Sequence, residues 1–498
     1  MKQIKNIAIV LVLVLACAML FTACDNPGTD ATATPEPTGT SDNGGGVAVP
    51  EKIAMKTGDV YRIFVWNNVE ENATIYDATG PRAEQTKQRF EQFQQDYGVT
   101  LTWVANPNTA GWIDAALQPA AAGEPIADIF HMGGPFVIPI ALGYGGTAIG
   151  SLYENLGVYD EYTNFDNPDH WDQTAIESMG YYNGELLIVA PRAEGWGAVA
   201  TNQVTFFNKK IVAEAGYTAD EMYRLYKEGK WTFDKFREVA IACTSADKGI
   251  YGIPMAANGM AMLSLINSNG GAILTANDQG VPEFTADSAK SLTAINFFLD
   301  LVKEGAVLTE GTTGQAEENL FKTGKVAMML TYANRATNGE SPRGGAVYQT
   351  EGLEYGIIMP PKGPDATDYS SDNNWGGPLS VFKGHANPAG VVQCLSYYMA
   401  PAEPVTGANQ QMLLEADAMQ YFQDNQSIQT LKDCIDKNVT TAYMAYWTVN
   451  SADGVSLSGT VAGRIMNWVN GESTPEIDYA ANKDVINNII LETVGAGA

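Results

Sequence analysis

From residue 60 onward the chain alternates short β-branched and aromatic runs with longer amphipathic ones, and this alternation restricts it to an α/β sheet fold. VYRIFVW (60–66) reads as a strand. The following stretch, 82–98, places Phe90, Phe93 and Tyr97 on one helical face, with Gly98 as its stop. VTLTW (99–103) and ADIFHM (127–132) are the next strands, the latter apolar enough to be covered on both faces. A second unit of the same kind follows. Residues 183–191 and 198–208 are extended, and Phe233, Phe236, Val239 and Cys243 form a helical stripe. Leu292, Ile295, Leu299 and Val302 form another, ended by Gly305. Residues 326–332 and 353–361 return to strand, and 388–400, 408–437 and 458–470 read as helical. The expected fold class is therefore α/β, each unit an open, mostly parallel sheet flanked by helices. Such sheets bind ligands at the carboxyl ends of their strands.

The first 24 residues have a different character. Lys2 and Lys5 precede an apolar run from Ile7 to Phe21, which ends in Thr22-Ala23-Cys24. A basic start, a short apolar core and small residues before a cut describe a secretory signal, 1–23, and the run is short for a spanning helix. Cys24 then resembles the lipidated cysteine of a bacterial lipobox, with Phe21 where Leu is usual. Cutting at Cys17 would leave a shorter core and an apolar mature terminus, so Cys24 is the expected lipidation site. Residues 24–50, rich in Pro, Gly, Thr and Asp, cannot bury enough surface to offset their ordering entropy. They read as a disordered tether spanning roughly 25 to 30 Å.

The net charge of −28 argues against nucleic-acid binding and fits an anionic cell envelope to which the protein should not stick. After Cys24 only Cys243, Cys394 and Cys434 remain, too sparse for a disulfide framework. A Cys394–Cys434 bridge is left open.

Several runs resemble the extracellular solute-binding proteins of carbohydrate ABC importers. TFFNKKIVAEAGY (205–217), GKWTFDKFREVA (229–240) and DKGIYGIP (247–254) follow the order of that family. So do NGE (183–185), ADI (127–129), FKTGKVAMM (321–329) and YGIIMPPKG (355–363). Most of these matched residues read as structural: Thr232 as a helix N-cap, Trp231 and Phe233 as packing, Gly324 as a helix end. The resemblance implies two lobes joined by hinge crossings near 192–200, 331–335 and 400–405, with ligand between them. Lobe 1 would be 51–195 and 333–402, and lobe 2 would be 196–332 and 403–498. It also implies a lipid-anchored monomer on the extracellular face of the membrane, which delivers a carbohydrate to permease subunits, without catalysis or cofactor.

A sugar ring has apolar C–H faces and a belt of hydroxyls, so its site needs flat aromatics and planar polar groups. The candidates lie at strand ends and crossings. They are Trp66, Asn67 and Asn68 after the first strand, Trp112 after the second and His131 at the end of the third. Trp196 sits at the first crossing, Asn258 follows the strand at 250–254, and Tyr332 and Arg335 lie at the expected second crossing. Asn374 and Trp375 sit in an Asn-Asn-Trp-Gly-Gly turn, and Tyr446 and Trp447 lie in the C-terminal part. After His131 the chain runs Met-Gly-Gly-Pro, where related maltooligosaccharide binders have an aromatic and acidic residues.

An alternative is a surface polysaccharide hydrolase or lyase, since carboxylates are plentiful. Yet His131, His170 and His385 form no H-E-x-x-H, and no G-x-S-x-G occurs. Ser245-x-x-Lys248 precedes a turn, and the G-x-G-x-x-A within 143–150 lacks the strand-turn-helix setting of a dinucleotide site. A binder presenting its ligand to a membrane sensor, or one taking a peptide or polyol, is also open.

Overall fold

The computed structural model describes residues 52–65, 81–105, 112–131, 152–182, 184–191, 202–255, 259–277, 281–309, 316–337, 346–373, 378–399, 415, 418–439, 451 and 454–494. The elements that frame the molecule begin with β1 (Val60–Val65), α1 (Pro81–Tyr97), β2 (Thr100–Ala105), α2 (Trp112–Ala121) and β3 (Ile129–His131). Next come β4 (Gln203–Asn208), α3 (Phe233–Cys243), α4 (Met260–Ser268), α5 (Ala289–Lys303) and β5 (Met328–Tyr332). The chain then forms β6 (Tyr355–Ile358), β7 (Ser371–Asp372), β8 (Leu379–Val381), α6 (Pro388–Met399), α7 (Asn425–Asp436) and β9 (Asn438–Val439).

The first lobe is built on a sheet in the order β8-β3-β1-β2. β1 pairs in parallel with β2 and β3, and β8 runs antiparallel to β3. α1 and α6 cover one face, where Phe90, Phe93, Val391, Val392 and Leu395 meet Tyr61, Ile63, Leu101 and Ile129. On the other face Phe64 stacks on Phe130 at 4.8 Å. Pro81 opens α1, where its missing N–H costs nothing. Gly98 closes it at φ +62°, and a Cβ there would lie 2.8 Å from the Thr57 methyl, so both backbone and space require glycine.

The second lobe is centred on β4, all six of whose residues are buried. β5 and β6 flank it, and both pairings are antiparallel. This differs from the mostly parallel sheet expected for each unit. A strand buried on both faces reads as a continuous apolar run whichever way its neighbours point, so the sequence pattern carries no direction. α3 starts as expected: Thr232 Oγ1 accepts from the Lys235 N–H, and Phe233, Phe236, Val239 and Cys243 are buried. Gly305 and Gly324 end their helices at positive φ. The 183–191 stretch is only partly strand, Glu185–Leu186 pairing with Tyr181–Tyr182 before Val189 bridges Leu379. The helical stretch at 408–437 is described as helix over α7, and 458–470 divides into Leu457–Val461 and Ile465–Val469.

One expected crossing is misplaced. β5 ends at Tyr332 and turns through Ala333–Ala336, and the chain then returns to the same sheet as β6, with Ile357 opposite Phe206. Residues 355–358 therefore lie in the second lobe, not with 378–399 in the first. The chain passes between the lobes instead through 192–201, 374–377 and 400–414, which lie outside the described residues, and Glu415 is already tied to Lys432 in the second lobe. Val189 and Leu379 flank the first two on the first-lobe side, and β4 and β7 flank them on the second. No helix among the described residues is long and apolar enough to cross a membrane.

Candidate functional site

Strand register determines which candidates share an edge of each sheet. In the first lobe Val65 lies opposite Ala105 and Phe64 opposite Phe130, so Val65, Ala105 and His131 end β1, β2 and β3 side by side. Trp66, Asn67 and Asn68 follow Val65 directly, and Trp112 opens α2 after the segment that leaves Ala105. β8 starts at this same edge, with Leu379 opposite His131, so the segment bearing Asn374 and Trp375 arrives here.

The second lobe gathers the rest. Gln203 opens β4 opposite Tyr332, the last residue of β5. The Gln203 carbonyl accepts from Ser371 Oγ at 2.7 Å, and its side-chain amide reaches Met260 Sδ at 3.1 Å. β7 and β9 pair in parallel, Ser371 opposite Asn438 and Asp372 opposite Val439. The segments that carry Trp196, Asn258, Trp375 and Tyr446-Trp447 are thus all rooted beside this edge. Trp66, Asn67, Asn68, Trp196, Asn258, Asn374, Trp375, Tyr446 and Trp447 themselves, like Cys24 and the tether, lie outside the described residues.

Of the candidates whose side chains are described, His131 is half-buried and meets the Tyr398 ring edge-on at 6.2 Å. Burial pushes its imidazole down to about 4. It is therefore neutral at pH 7 and offers one donor and one acceptor. Tyr332 is buried against Met260. Arg335 pairs with the buried Glu318 at 3.0 Å, its guanidinium 5.5 Å from the centre of the Tyr332 ring. The crossing expected at Tyr332 and Arg335 is elsewhere, and both residues are engaged inside the second lobe.

The sequence pattern does not single out a set of buried and half-buried polar residues at the roots of these segments. Asn202 donates to Asn438 Oδ1 at 2.9 Å, and Asn438 donates to Asp172 Oδ2 at 2.8 Å. Asn267 donates to Asp372, whose carboxyl is pushed well above the usual carboxylate range by burial. The available signal was polarity at strand ends: Asn202-Gln203 before an apolar run, and Ser371-Asp372-Asn373 before the Trp-Gly-Gly turn. Cys243, Cys394 and Cys434 are buried free thiols. Cys394 packs in the core beneath the first sheet while Cys434 belongs to the other cluster, so the bridge left open is not formed. Among the described residues no His, Cys, Asp and Glu group is placed to hold a metal ion.

Sheet edges that carry amides, a neutral imidazole and the roots of tryptophan-bearing segments suit a neutral, hydroxyl-rich ligand. Several solved structures share the fold. The GacH receptor of Streptomyces glaucescens, solved unliganded and with acarbose, is 21% identical, with a TM-score of 0.56 over 87% of this chain and 99% of that one. The lacto-N-biose-binding protein of a Bifidobacterium longum ABC transporter is 12% identical, with a TM-score of 0.58 over 88% of this chain and 98% of that one. UgpB from Mycobacterium tuberculosis, in complex with glycerophosphocholine, is 13% identical, with a TM-score of 0.55 over 86% of this chain and 98% of that one. No curated protein matches the sequence. The bacterial extracellular solute-binding protein family matches residues 77–403, most of the folded chain, and the protein belongs to that family.

Proposed function

We propose that the protein is the lipid-anchored, extracellular solute-binding component of an ABC importer, that it takes a carbohydrate between its lobes, and that it passes the sugar unaltered to a membrane permease. The observation that supports this reading is the register of the described strands, which sets the ends from which the candidate segments leave side by side at one edge in each lobe. Closure about those connections would bring aromatics onto a sugar's C–H faces and amides onto its hydroxyls. Several proteins of like fold bind oligosaccharides, which favours an oligosaccharide here. The lobes are then residues 51–191 with 378–399, and 202–373 with 415–494.

A thermal-shift panel of maltose, maltotriose, acarbose, lacto-N-biose and glycerophosphocholine tests the ligand class, because a ligand that binds only the folded chain raises its melting temperature. A shift with at least one carbohydrate is expected, and chromatography after long incubation should return that sugar intact. A shortened or unsaturated product would favour a hydrolase or lyase. A shift with glycerophosphocholine alone would replace the sugar by a polyol phosphate. For the anchor, Cys24→Ala should release the chain from the membrane fraction or leave it uncut. Unchanged retention of a correctly trimmed chain would overturn lipidation at Cys24.

A further inference from the structure

The hydrogen bond between Asp172 and Asn438 joins the lobes. Asp172 belongs to the first: its backbone N–H donates to the Ala190 carbonyl at 2.9 Å, and Trp171, beside it, is buried in the core under the first sheet. Asn438 belongs to the second: it lies in β9, paired with β7, and β7 is tied to β4 through Ser371. Each partner is also held within its own lobe. Asp172 Oδ1 caps the short helix Gln173–Ala175 by accepting from the Ala175 N–H at 3.1 Å and from Thr174 Oγ1 at 2.7 Å. Asn438 Oδ1 accepts from Asn202, the first described residue after the segment 192–201. Two neighbouring groups thus sit on opposite lobes beside the chain connections, each oriented by a second bond.

We infer that Asp172 and Asn438 form an interlobe latch that sets the resting angle of the hinge. The Asn438 amide can meet Asp172 Oδ2 at 2.8 Å over a narrow range of angles, since hydrogen bonds weaken steeply once bent or stretched. A bond to a carboxylate carries more free energy than a neutral one. It therefore weights the described arrangement over others, and the weighting enters the apparent affinity of any ligand that prefers a different angle. The latch rests on the two-lobed fold and not on the sugar reading.

The donor and acceptor are exchangeable, which makes the test selective. In the full chain in detergent, with spin labels at Gln95→Cys and Lys227→Cys, exposed positions on the first and second lobes, the interlobe distance distribution is read without ligand. Asn438→Asp sets two carboxylates against each other, and Asn438→Ala removes the donor. Both should move the distribution away from that of the unaltered chain, by about tenfold in the ratio of the two arrangements. The exchange Asp172→Asn with Asn438→Asp restores a donor and an acceptor and keeps the cap on Ala175, and it should return the original distribution. Unchanged distances in Asn438→Asp and Asn438→Ala would overturn the latch. So would an exchanged chain that melts normally yet keeps the shifted distribution.

Discussion

The indole nitrogen of Trp231 donates to the Met359 carbonyl at 3.0 Å, joining the residue before the cap of α3 to the residue after β6. The Trp231 backbone adds to this, its N–H donating to Tyr369 Oη at 3.1 Å and its carbonyl accepting from the Lys362 N–H at 3.0 Å. The side chain is fully buried. Trp231 thus locks a helix to a strand in the second lobe.

Trp231→Ala should accordingly destabilise the ligand-free chain by about 3 to 5 kcal/mol through the cavity it leaves. Trp231→Phe keeps most of the packing and loses the indole bond, for about 1 kcal/mol. Denaturant unfolding without ligand checks both. Normal stability combined with lost sugar binding would make Trp231 a ligand contact instead.

Arg335 has a comparable task. Its partner Glu318 is almost fully buried, so removing the guanidinium takes away a contact that offsets the cost of a buried carboxylate. Arg335→Met should cost about 3 to 5 kcal/mol. Replacing both partners, Arg335→Met with Glu318→Leu, should recover much of that loss, because the buried charge goes with its counterion. A normally stable Arg335→Met chain with weakened sugar binding would restore Arg335 to the site.

What the sequence made legible was local. The Thr232 cap and the Phe233, Phe236, Val239 and Cys243 stripe depend on spacings of a few residues, and the backbone adopts them as read. The pairing of β6 with β4 depends on partners about 150 residues apart, Ile357 with Phe206, and no spacing records it. That pairing places the middle connection at 374–377 and removes the reason for choosing Tyr332 and Arg335. Asn202 and Asn438 were missed for the same reason, since each is one polar residue at an element's end until the fold brings them within 2.9 Å. At the first-lobe edge, the choice of Trp66, Asn67, Asn68 and His131 followed from strand ends, and register puts those ends side by side.

His131 gives the molecule a pH dependence of known sign. Burial holds its imidazole at about 4, below the ordinary 6.5, so between these values the unfolded chain binds a proton that the folded chain does not. The contribution is fully present above pH 6.5 and is lost as pH falls from there toward 4, by at most about 1.4 kcal/mol per pH unit. His131→Gln cannot titrate and should flatten the melting temperature over this window relative to the unaltered chain. Parallel profiles for the two chains would mean that His131 protonates as readily folded as unfolded.

Trp375 and Trp447 carry the sharpest test of the proposed site. Asn373 and Val439, where their segments begin, follow and belong to β7 and β9, which pair in parallel, so both segments leave one ribbon in the same direction. Trp375 stands in an Asn-Asn-Trp-Gly-Gly sequence that offers a large indole few neighbours to bury against. Losing an aromatic anchor from a desolvated site costs about 2 kcal/mol, or about thirtyfold in affinity. Trp375→Ala and Trp447→Ala should each weaken by that factor the binding of whichever panel sugar gives the largest thermal shift, and leave the ligand-free melting temperature almost unchanged. If both indoles hold the same ring, the double variant should lose less than the sum of the two. Normal binding in either variant, or a ligand-free melting temperature far below that of the unaltered chain, would make that tryptophan structural.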